Sequence, residues 1–273
     1  MRNLIFNADD YGLSPAVSAG IRRAMQDGAV RSTTVMANFT TGEELEALKA
    51  LLAADVAGAA PRGLTAGCHL NLSAGPPLTA DYPAELLRDG PDGRRWLDKQ
   101  RALNPATWND RDLVVFAAVE WAAQLALLRE SGLPLSHLDS HHHIHLQPVL
   151  FPIALDLAQQ HGLALRVRRE FRSLARSSEV ACPDTLLEGY FGENMIGREA
   201  LLALLDAATG ETVEVMCHPG QVDDLLRQRS GYVAEREAEL AVLGDPALVE
   251  ELTACGWRLQ GFAWTETEHE SAG

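Results

Sequence analysis

Residues 141–145 contain four of the chain's nine histidines, directly after a short apolar run that ends at Leu138. Neutral imidazole is among the commonest metal ligands in proteins, and together with carboxylates it binds divalent ions such as zinc, manganese or nickel. The cluster therefore predicts a metal centre. A carboxylate partner is available at the adjacent pair Asp9 and Asp10, which follows the apolar run at residues 4–8.

The other polar residues of interest also lie at the carboxyl ends of predicted strands. Asp9 and Asp10 follow the first strand, His69 ends the third, His141 follows the fourth, Arg166 lies late in the fifth, and His218 follows the sixth. In α/β barrels and open parallel sheets, ligands bind at this edge because the βα loops converge there. Residues that are far apart in the sequence are therefore expected to face one cleft.

These residue types fit a hydrolytic metal centre, which commonly has three protein ligands and leaves one position to water. Asp10, His69 and one histidine of residues 141–145 would supply the ligands, and their spacing does not choose among the four histidines. A divalent ion acidifies its bound water toward a pKa of about 7. Asp9 would then be the base that removes the proton of the water, and His218 the acid that protonates the leaving group.

Each of these features also has a purely structural interpretation. Residues 9–14 have the composition of a strand-to-helix turn, in which an Asp pair is common. His69 or His218 by itself could be a buried structural histidine, and the arginines near residue 166 could form a solvated charged rim. The shared position at the strand ends favours the functional interpretation.

Short apolar runs alternate with helical patterns along most of the chain, which predicts an α/β fold with a parallel sheet. Helices are predicted between Ser14 and Gly28, from a capping box at Thr41, from about Asp110 to Ser131, and from Asp245. The seven predicted strands are residues 3–8, 30–37, 64–70, 135–139, 163–168, 212–217 and 257–263.

The 273 residues are predicted to form a single catalytic domain over 1–273, since α/β barrels of this size fold as one unit. Two segments rich in Gly, Pro, Arg and Asp interrupt the pattern, near 73–108 and 169–196. Long segments of this kind inside a compact domain are usually functional. We interpret both as loop insertions that form walls over a cleft.

Composition excludes several classes of protein. The content of 47% hydrophobic and 22% charged residues is that of an ordinary globular protein. The net charge of -15 argues against a nucleic-acid partner, which requires a basic surface. No apolar stretch is long enough for a membrane helix, and residues 1–3 lead into a strand instead of a secretory leader. A cytoplasmic protein without a membrane partner is therefore expected.

Four sequence motifs are similar to those of a known family. They are Asn7–Ser14 (NADDYGLS), Gly67–Leu72 (GCHLNL), His137–His145 (HLDSHHHIH) and Glu214–Pro219 (EVMCHP). In this order, and over nearly the whole chain, they resemble the YdjC-like carbohydrate deacetylases, a group that includes chitooligosaccharide and hopanoid-associated deacetylases. The resemblance implies a distorted (β/α) barrel of the polysaccharide-deacetylase type. It also implies metal-dependent hydrolysis of the N-acetyl group of a sugar.

The resemblance further implies roles for individual residues. Arg166 and Arg169 match arginines in the corresponding strand of the family, which implies a position near the acetyl group of the substrate or near the base. The resemblance implies one divalent metal ion, magnesium or zinc, and a homodimer. Residues 78–109 match no single member closely, so the identity of the sugar stays open. The family's three metal ligands correspond to Asp10, His69 and His141, and its base corresponds to Asp9.

The prediction is therefore a metal-dependent carbohydrate deacetylase, a hydrolase of a linear amide C–N bond. It would act on an N-acetylated amino sugar or a short oligosaccharide and release acetate. One alternative is a metal-independent glycosidase that uses Asp9 or Asp10 with another carboxylate and leaves the acetyl group in place. The other is a non-catalytic sugar- or metal-binding protein, whose ion would be enclosed by four protein ligands.

Overall fold

Strands and helices alternate through the computed structural model, which describes residues 1–192 and 195–262. The strands are β1 Arg2–Tyr11, β2 Ser32–Val35, β3 Thr65–Leu70, β4 Leu87–Asp89, β5 Arg95–Leu97, β6 Leu135–Ser140, β7 Ala164–Leu165, β8 Thr185–Leu187, β9 Thr212–Cys217 and β10 Trp257–Leu259. The α-helices are α1 Pro15–Asp27, α2 Gly42–Ala57, α3 Lys99–Leu103, α4 Arg111–Glu130, α5 Phe151–His161, α6 Arg169–Ser177, α7 Arg198–Asp206, α8 Asp224–Arg229, α9 Ala234–Leu243 and α10 Pro246–Ala254. Short 3₁₀ helices lie at Ala84–Leu86, Pro105–Asn109 and His141–Leu146.

Eight strands form one sheet whose pairings are parallel, in the order β7-β6-β3-β2-β1-β9-β8, with β10 pairing the start of β1. The sheet curls as an incomplete barrel, and within the described residues no pairing joins β7 to β8. The predicted distorted (β/α) barrel of about seven parallel strands is confirmed. The remaining strands, β4 and β5, form a separate antiparallel hairpin.

The central strand β1 lies deep in the core. Every residue of β1 after Arg2 is buried, and β1 pairs with β2, β9 and β10. Strands that are covered on both faces form continuous apolar runs, which explains why residues 4–8 are easy to recognise in the sequence. One cluster of buried apolar side chains extends from Leu4 to Trp257.

The predicted strands correspond to β1, β2, β3, β6, β7, β9 and β10, although several are shorter than expected. β7 covers only residues 164–165, because the chain turns into α6 at Arg169. β10 ends at Leu259, and position 263 of that predicted strand lies outside the described residues.

The interpretation of residues 73–108 and 169–196 as loops is wrong in part. The first segment contains the β4–β5 hairpin and α3, and the second contains α6 and β8. β8 has three residues and pairs only along β9 in the described sheet, and α6 has one buried residue, Ala175. β8 is too short to show a strand period, whereas α6 carries Phe171, Leu174 and Ala175 at helical spacing, a pattern that the loop interpretation overlooked.

The predicted helix starts agree with the structure. The Ser14 side chain accepts the N–H of Val17 at the start of α1, and Thr41 and Glu44 form the capping box of α2. The helices α4 and α10 begin directly after Asp110 and Asp245, whose side chains cap them. Among the helices in residues 1–192 and 195–262, none is both long and apolar enough to cross a membrane.

Removal of the Thr41 side chain tests the cap of α2. The Glu44 N–H donates to Thr41 Oγ1, and the Glu44 carboxylate accepts the Thr41 N–H in return. We expect Thr41→Ala to lower the free energy of unfolding by about 1 kcal/mol in urea denaturation. Thr253→Ala is the control, since this exposed hydroxyl bonds the Val249 carbonyl within α10, and a change below about 0.5 kcal/mol is expected. Equal effects of the two substitutions would contradict a stabilising cap.

Candidate metal centre and active site

A bulge in β1 brings two adjacent carboxylates to one site. The register with β2 passes from Ala8↔Thr33 to Tyr11↔Val35, so β1 has one extra residue there. Asp10 has a φ of 71°, in the left-handed region that residues other than glycine rarely adopt. Neighbouring side chains of a regular strand point to opposite faces. The bulge instead allows both Asp9 and Asp10 to lie next to His69.

Asp10, His69 and His141 bring their ligand atoms within 4.8 Å of one another. Asp10 Oδ1 lies 3.2 Å from His69 Nε2 and 2.8 Å from His141 Nδ1. This oxygen is buried, yet it accepts no well-aligned hydrogen bond from the residues that the structure describes. A buried carboxylate oxygen that faces two ring nitrogens is suited to a cation between them. The set of one oxygen and two nitrogens therefore fits a divalent metal ion.

A second carboxylate orients His69 through the ring nitrogen that does not face Asp10. Asp139 Oδ1 lies 2.6 Å from His69 Nδ1, and Thr34 Oγ1 donates to Asp139 Oδ2 at 3.0 Å. Such a carboxylate fixes the ring so that the other nitrogen faces the metal position. Burial lowers the pKa of His69, but Asp139 and Asp10 outweigh it and raise the pKa to about 10. A metal ion must therefore displace a proton from this ring, and metal affinity is expected to rise with pH.

Arg236 binds the other oxygen of Asp10. Its Nη2 donates to Asp10 Oδ2 at 2.6 Å, and the side chain is only 2% exposed. Burial raises the pKa of Asp10, but the charges of His141 and Arg236 hold that pKa well below its ordinary value. Asp10 is thus ionised, with Oδ1 directed to the two histidines.

Sequence reasoning missed Arg236, which lies in α9, far from the strand ends. The sequence feature that could have identified Arg236 is its spacing from Glu239, because residues three apart share one face of a helix. Both are buried charged residues, and Glu239 Oε2 accepts the backbone N–H of His218 at 2.5 Å. One face of α9 therefore contacts both Asp10 and His218.

Asp9 is held by a bidentate bond from Arg166. The distances are 2.7 Å from Nη1 to Oδ2 and 2.8 Å from Nη2 to Oδ1, and Asn7 Nδ2 also donates to Oδ1 at 2.8 Å. Burial raises the pKa of Asp9, but Arg166 outweighs it and holds the pKa well below its ordinary value. Asp9 is therefore an ionised carboxylate with a fixed orientation.

Asp9, His69 and Asp139 form a second group whose ligand atoms lie within 4.8 Å of one another. Arg166 already neutralises this group, since its Nη1 lies 2.7 Å from Asp9 Oδ2 and 2.9 Å from Asp139 Oδ2. The guanidinium thus occupies the place that a cation would take. The group around Asp10 is consequently the better metal site.

His218 lies beside Asp9 because β9 pairs with β1 in the register Ala8↔Cys217. Its Nδ1 is buried and has no hydrogen-bond partner among the described residues. Burial lowers the pKa of His218 to about 4, although Asp10 and Asp9 oppose this effect. The ring is therefore neutral at pH 7 and has a free nitrogen.

The other histidines of residues 141–145 have different neighbours. His142 and His143 adopt left-handed φ values of 56° and 53°. The structure brings only His141 of this segment to Asp10 within the described groups of ligand atoms. The partners are Ser73 for His142, Met216 and Glu188 for His143, and Ser140 and the Arg166 carbonyl for His145.

The two arginines predicted to bind substrate lie in different environments. Arg166 is fully buried, and its guanidinium contacts Asp9, Asp139 and Glu214. Its observed position is next to the proposed base, which was one of the two positions that the resemblance implied. Arg169 is the exposed first residue of α6, and its contact with substrate stays a prediction.

The family model described as YdjC-like protein matches residues 3–254. This chain belongs to the YdjC-like family. A carbohydrate deacetylase from Geobacillus stearothermophilus is 36% identical over 259 residues, which are 94% of this chain and 96% of that protein. A chitooligosaccharide deacetylase from Escherichia fergusonii is 34% identical over 271 residues, 96% of this chain and 98% of that protein. The resemblance found in the motifs is confirmed.

A solved structure is similar to nearly the whole chain. The crystal structure of a candidate cellobiose-phosphate cleavage protein from Enterococcus faecalis has a TM-score of 0.78 and 29% sequence identity. The match covers 96% of this chain and 97% of that chain. The incomplete parallel barrel is therefore shared with a known structure.

Replacement of Arg236 by Met tests its part in the metal centre. Without the Nη2 donor, Asp10 loses the contact that directs Oδ1 to the histidines, so the affinity for a divalent metal should fall about 10- to 100-fold. Calorimetric titration with zinc or magnesium measures this change, and circular dichroism shows whether the variant is folded. Arg95→Met, in the exposed β4–β5 hairpin, is the matched control and should leave the affinity unchanged. A folded Arg236→Met variant with undiminished affinity would contradict the assignment.

Proposed function

We propose that this chain is a metal-dependent carbohydrate deacetylase that removes the N-acetyl group from an amino sugar or a short oligosaccharide and releases acetate. The observation that carries the proposal is the convergence of Asp10, His69 and His141 on one point, with Asp9 and His218 beside it. The relatives named carbohydrate deacetylase and chitooligosaccharide deacetylase support the class of substrate.

Asp10, His69 and His141 would hold the metal ion, magnesium or zinc. A divalent ion there would acidify a water molecule and polarise the carbonyl oxygen of the amide. Three protein ligands leave room for water and substrate, unlike the closed set of a structural site. The side chain of His141 is 15% exposed, whereas those of Asp10 and His69 are 1% exposed. We infer that the substrate approaches from the side of His141.

Asp9 is the proposed base. The bidentate bond from Arg166 sets the orientation of the carboxylate, and the low pKa keeps it ionised. A carboxylate of low pKa is a weak base, so it needs a water whose own pKa is lowered. The role of Arg166 is therefore to position Asp9, and no contact of Arg166 with the sugar is required.

His218 is the proposed acid that protonates the departing nitrogen. Its pKa of about 4 means that the ring is neutral in the resting enzyme, so the proton that it gives to the departing nitrogen would be the one that Asp9 removes from the water. Negative charge that develops on the amide oxygen would favour this protonation. The free Nδ1 is the atom that would transfer the proton.

The pKa values of the two aspartates disfavour either of them as the acid of a glycosidase. That reaction requires one carboxylic acid that stays protonated near neutral pH and a second carboxylate. Arg166 holds the pKa of Asp9 low, and His141 and Arg236 hold that of Asp10 low, each against the effect of burial. Neither aspartate is suited to the role of the acid.

The direct test is acetate release from N-acetylglucosamine and N,N′-diacetylchitobiose. The protein is first stripped with a chelator and then supplied with magnesium, zinc, manganese or nickel. We expect no acetate from the stripped protein and recovery with at least one metal. Full activity in excess chelator, or shortening of the disaccharide without acetate, would contradict the proposal.

Replacement of Asp9 by Asn tests the base. Asparagine keeps the shape of the side chain but cannot accept a proton, so kcat should fall about 10²- to 10⁴-fold while the metal stays bound. Acetate release and metal analysis of the same sample measure both quantities. Asp112→Asn, on the exposed surface of α4, is the matched control and should retain activity. Loss of metal from Asp9→Asn would make Asp9 a metal ligand instead of the base.

A further inference from the structure

An aromatic pair, Phe191 and Tyr232, lies beside His218. The two rings are parallel within 8°, and their centroids are 4.5 Å apart. Both rings meet the His218 ring edge to face, at 5.5 Å for Phe191 and 5.4 Å for Tyr232. Phe191 is nevertheless 48% exposed, although a large apolar side chain normally avoids water. The pair therefore presents an apolar ring surface to solvent next to the proposed acid.

Polar contacts tie this aromatic pair to the active site. The Tyr232 hydroxyl donates to Glu239 Oε1 at 2.6 Å and accepts the Gly192 N–H at 3.3 Å. Glu239 is fully buried, and its other oxygen accepts the backbone N–H of His218. Arg236, which binds Asp10, also donates to the Tyr232 carbonyl at 3.0 Å. The pair is thus fixed relative to both His218 and Asp10.

The proposed reaction, on which this inference rests, determines where a sugar ring would lie. The amide carbonyl is placed at the metal ligands, and the amide nitrogen faces His218. That nitrogen is bonded directly to a ring carbon of the sugar. In that reaction the pyranose ring would lie next to His218, and Phe191 and Tyr232 are also next to His218.

We propose that Phe191, supported from behind by Tyr232, is the stacking surface for the pyranose ring that carries the N-acetyl group. One face of a pyranose consists mainly of C–H groups, which have the partial positive charge that the face of an aromatic ring attracts. Binding sites for small molecules combine such apolar surfaces with a few placed polar groups. The ring of Phe191 would thereby favour an N-acetylated sugar over an acyclic amide.

Kinetics of Phe191 variants test this surface. We expect Phe191→Ala to raise KM for N,N′-diacetylchitobiose about 3- to 10-fold with kcat within about 2-fold, since stacking is lost but the reacting groups remain. Phe191→Trp should retain the low KM, whereas Phe191→Leu, which is apolar but has no ring, should resemble Phe191→Ala. Val119→Ala removes another exposed apolar side chain, on α4, and should change neither constant. An unchanged KM in Phe191→Ala, or a normal KM in Phe191→Leu, would overturn the proposal.

A binding measurement separates this inference from the proposed reaction. Saturation-transfer NMR detects N,N′-diacetylchitobiose on the Asp9→Asn protein, in which turnover is expected to be blocked. Signal transfer to the ring protons should be strong in Asp9→Asn and weak when Phe191→Ala is added. Ring binding that depends on Phe191, without acetate release by the native chain, would reject the deacetylase and keep the stacking surface. Acetate release by the native chain, together with sugar binding that Phe191→Ala leaves unchanged, would keep the deacetylase and reject the stacking surface.

Discussion

The candidate site is built around the ion pairs of the buried Arg166 guanidinium. Arg166 lies just after β7 and joins carboxylates of three other strands, Asp9 of β1, Asp139 of β6 and Glu214 of β9. Charges in a protein interior are tolerated only when they are paired, and loss of one partner typically costs about 3–5 kcal/mol. Arg166 therefore stabilises all three acidic groups in the core. The carboxylate of Asp9 and, through Asp139, the ring of His69 obtain their orientations from this cation.

Asp9 and Asp10 are each bonded by a different arginine, and this gives the two carboxylates different properties. Arg166 bonds both oxygens of Asp9, so this carboxylate has its charge neutralised and its direction set. Arg236 bonds one oxygen of Asp10, and the other oxygen remains free to face His69 and His141. The difference between two bonded oxygens and one explains why Asp10 is suited to bind a metal ion and Asp9 is suited to accept a proton. The neighbouring identical residues thus differ in their arginine partners as well as in the left-handed backbone of Asp10.

The helix α9 connects the metal centre to the surface that would contact a sugar. Arg236 and Glu239 lie on one face of this helix and contact Asp10, Tyr232 and the backbone of His218. Burial raises the pKa of Glu239 to about 7, and it is next to groups that position the proposed acid. In the proposed function, a single helix therefore aligns a metal ligand, the acid and the aromatic pair.

Features that arise from local interactions can be predicted from the amino-acid sequence. The apolar runs and the caps at Ser14, Thr41 and Asp110 predict the alternating strands and helices, because a buried parallel strand and a helix start each have a short-range pattern. Strand direction then places Asp9, Asp10, His69 and His218 at one edge. The three residues of β8 are too few to show a period, and α6 was overlooked inside a polar segment although its apolar residues have helical spacing.

Which of these residues come into contact depends on the tertiary fold. The bulge at Asp10, the left-handed turns at His142 and His143, and the contact of Arg236 with Asp10 depend on register and on the packing of helices against the sheet. Neither register nor packing has a local signature, since each results from contacts between segments that are far apart in the chain. The spacing of residues could therefore name the candidate ligands but could not choose among the four histidines. The family resemblance pointed to His141, and the folded molecule brings His141 to within 2.8 Å of Asp10.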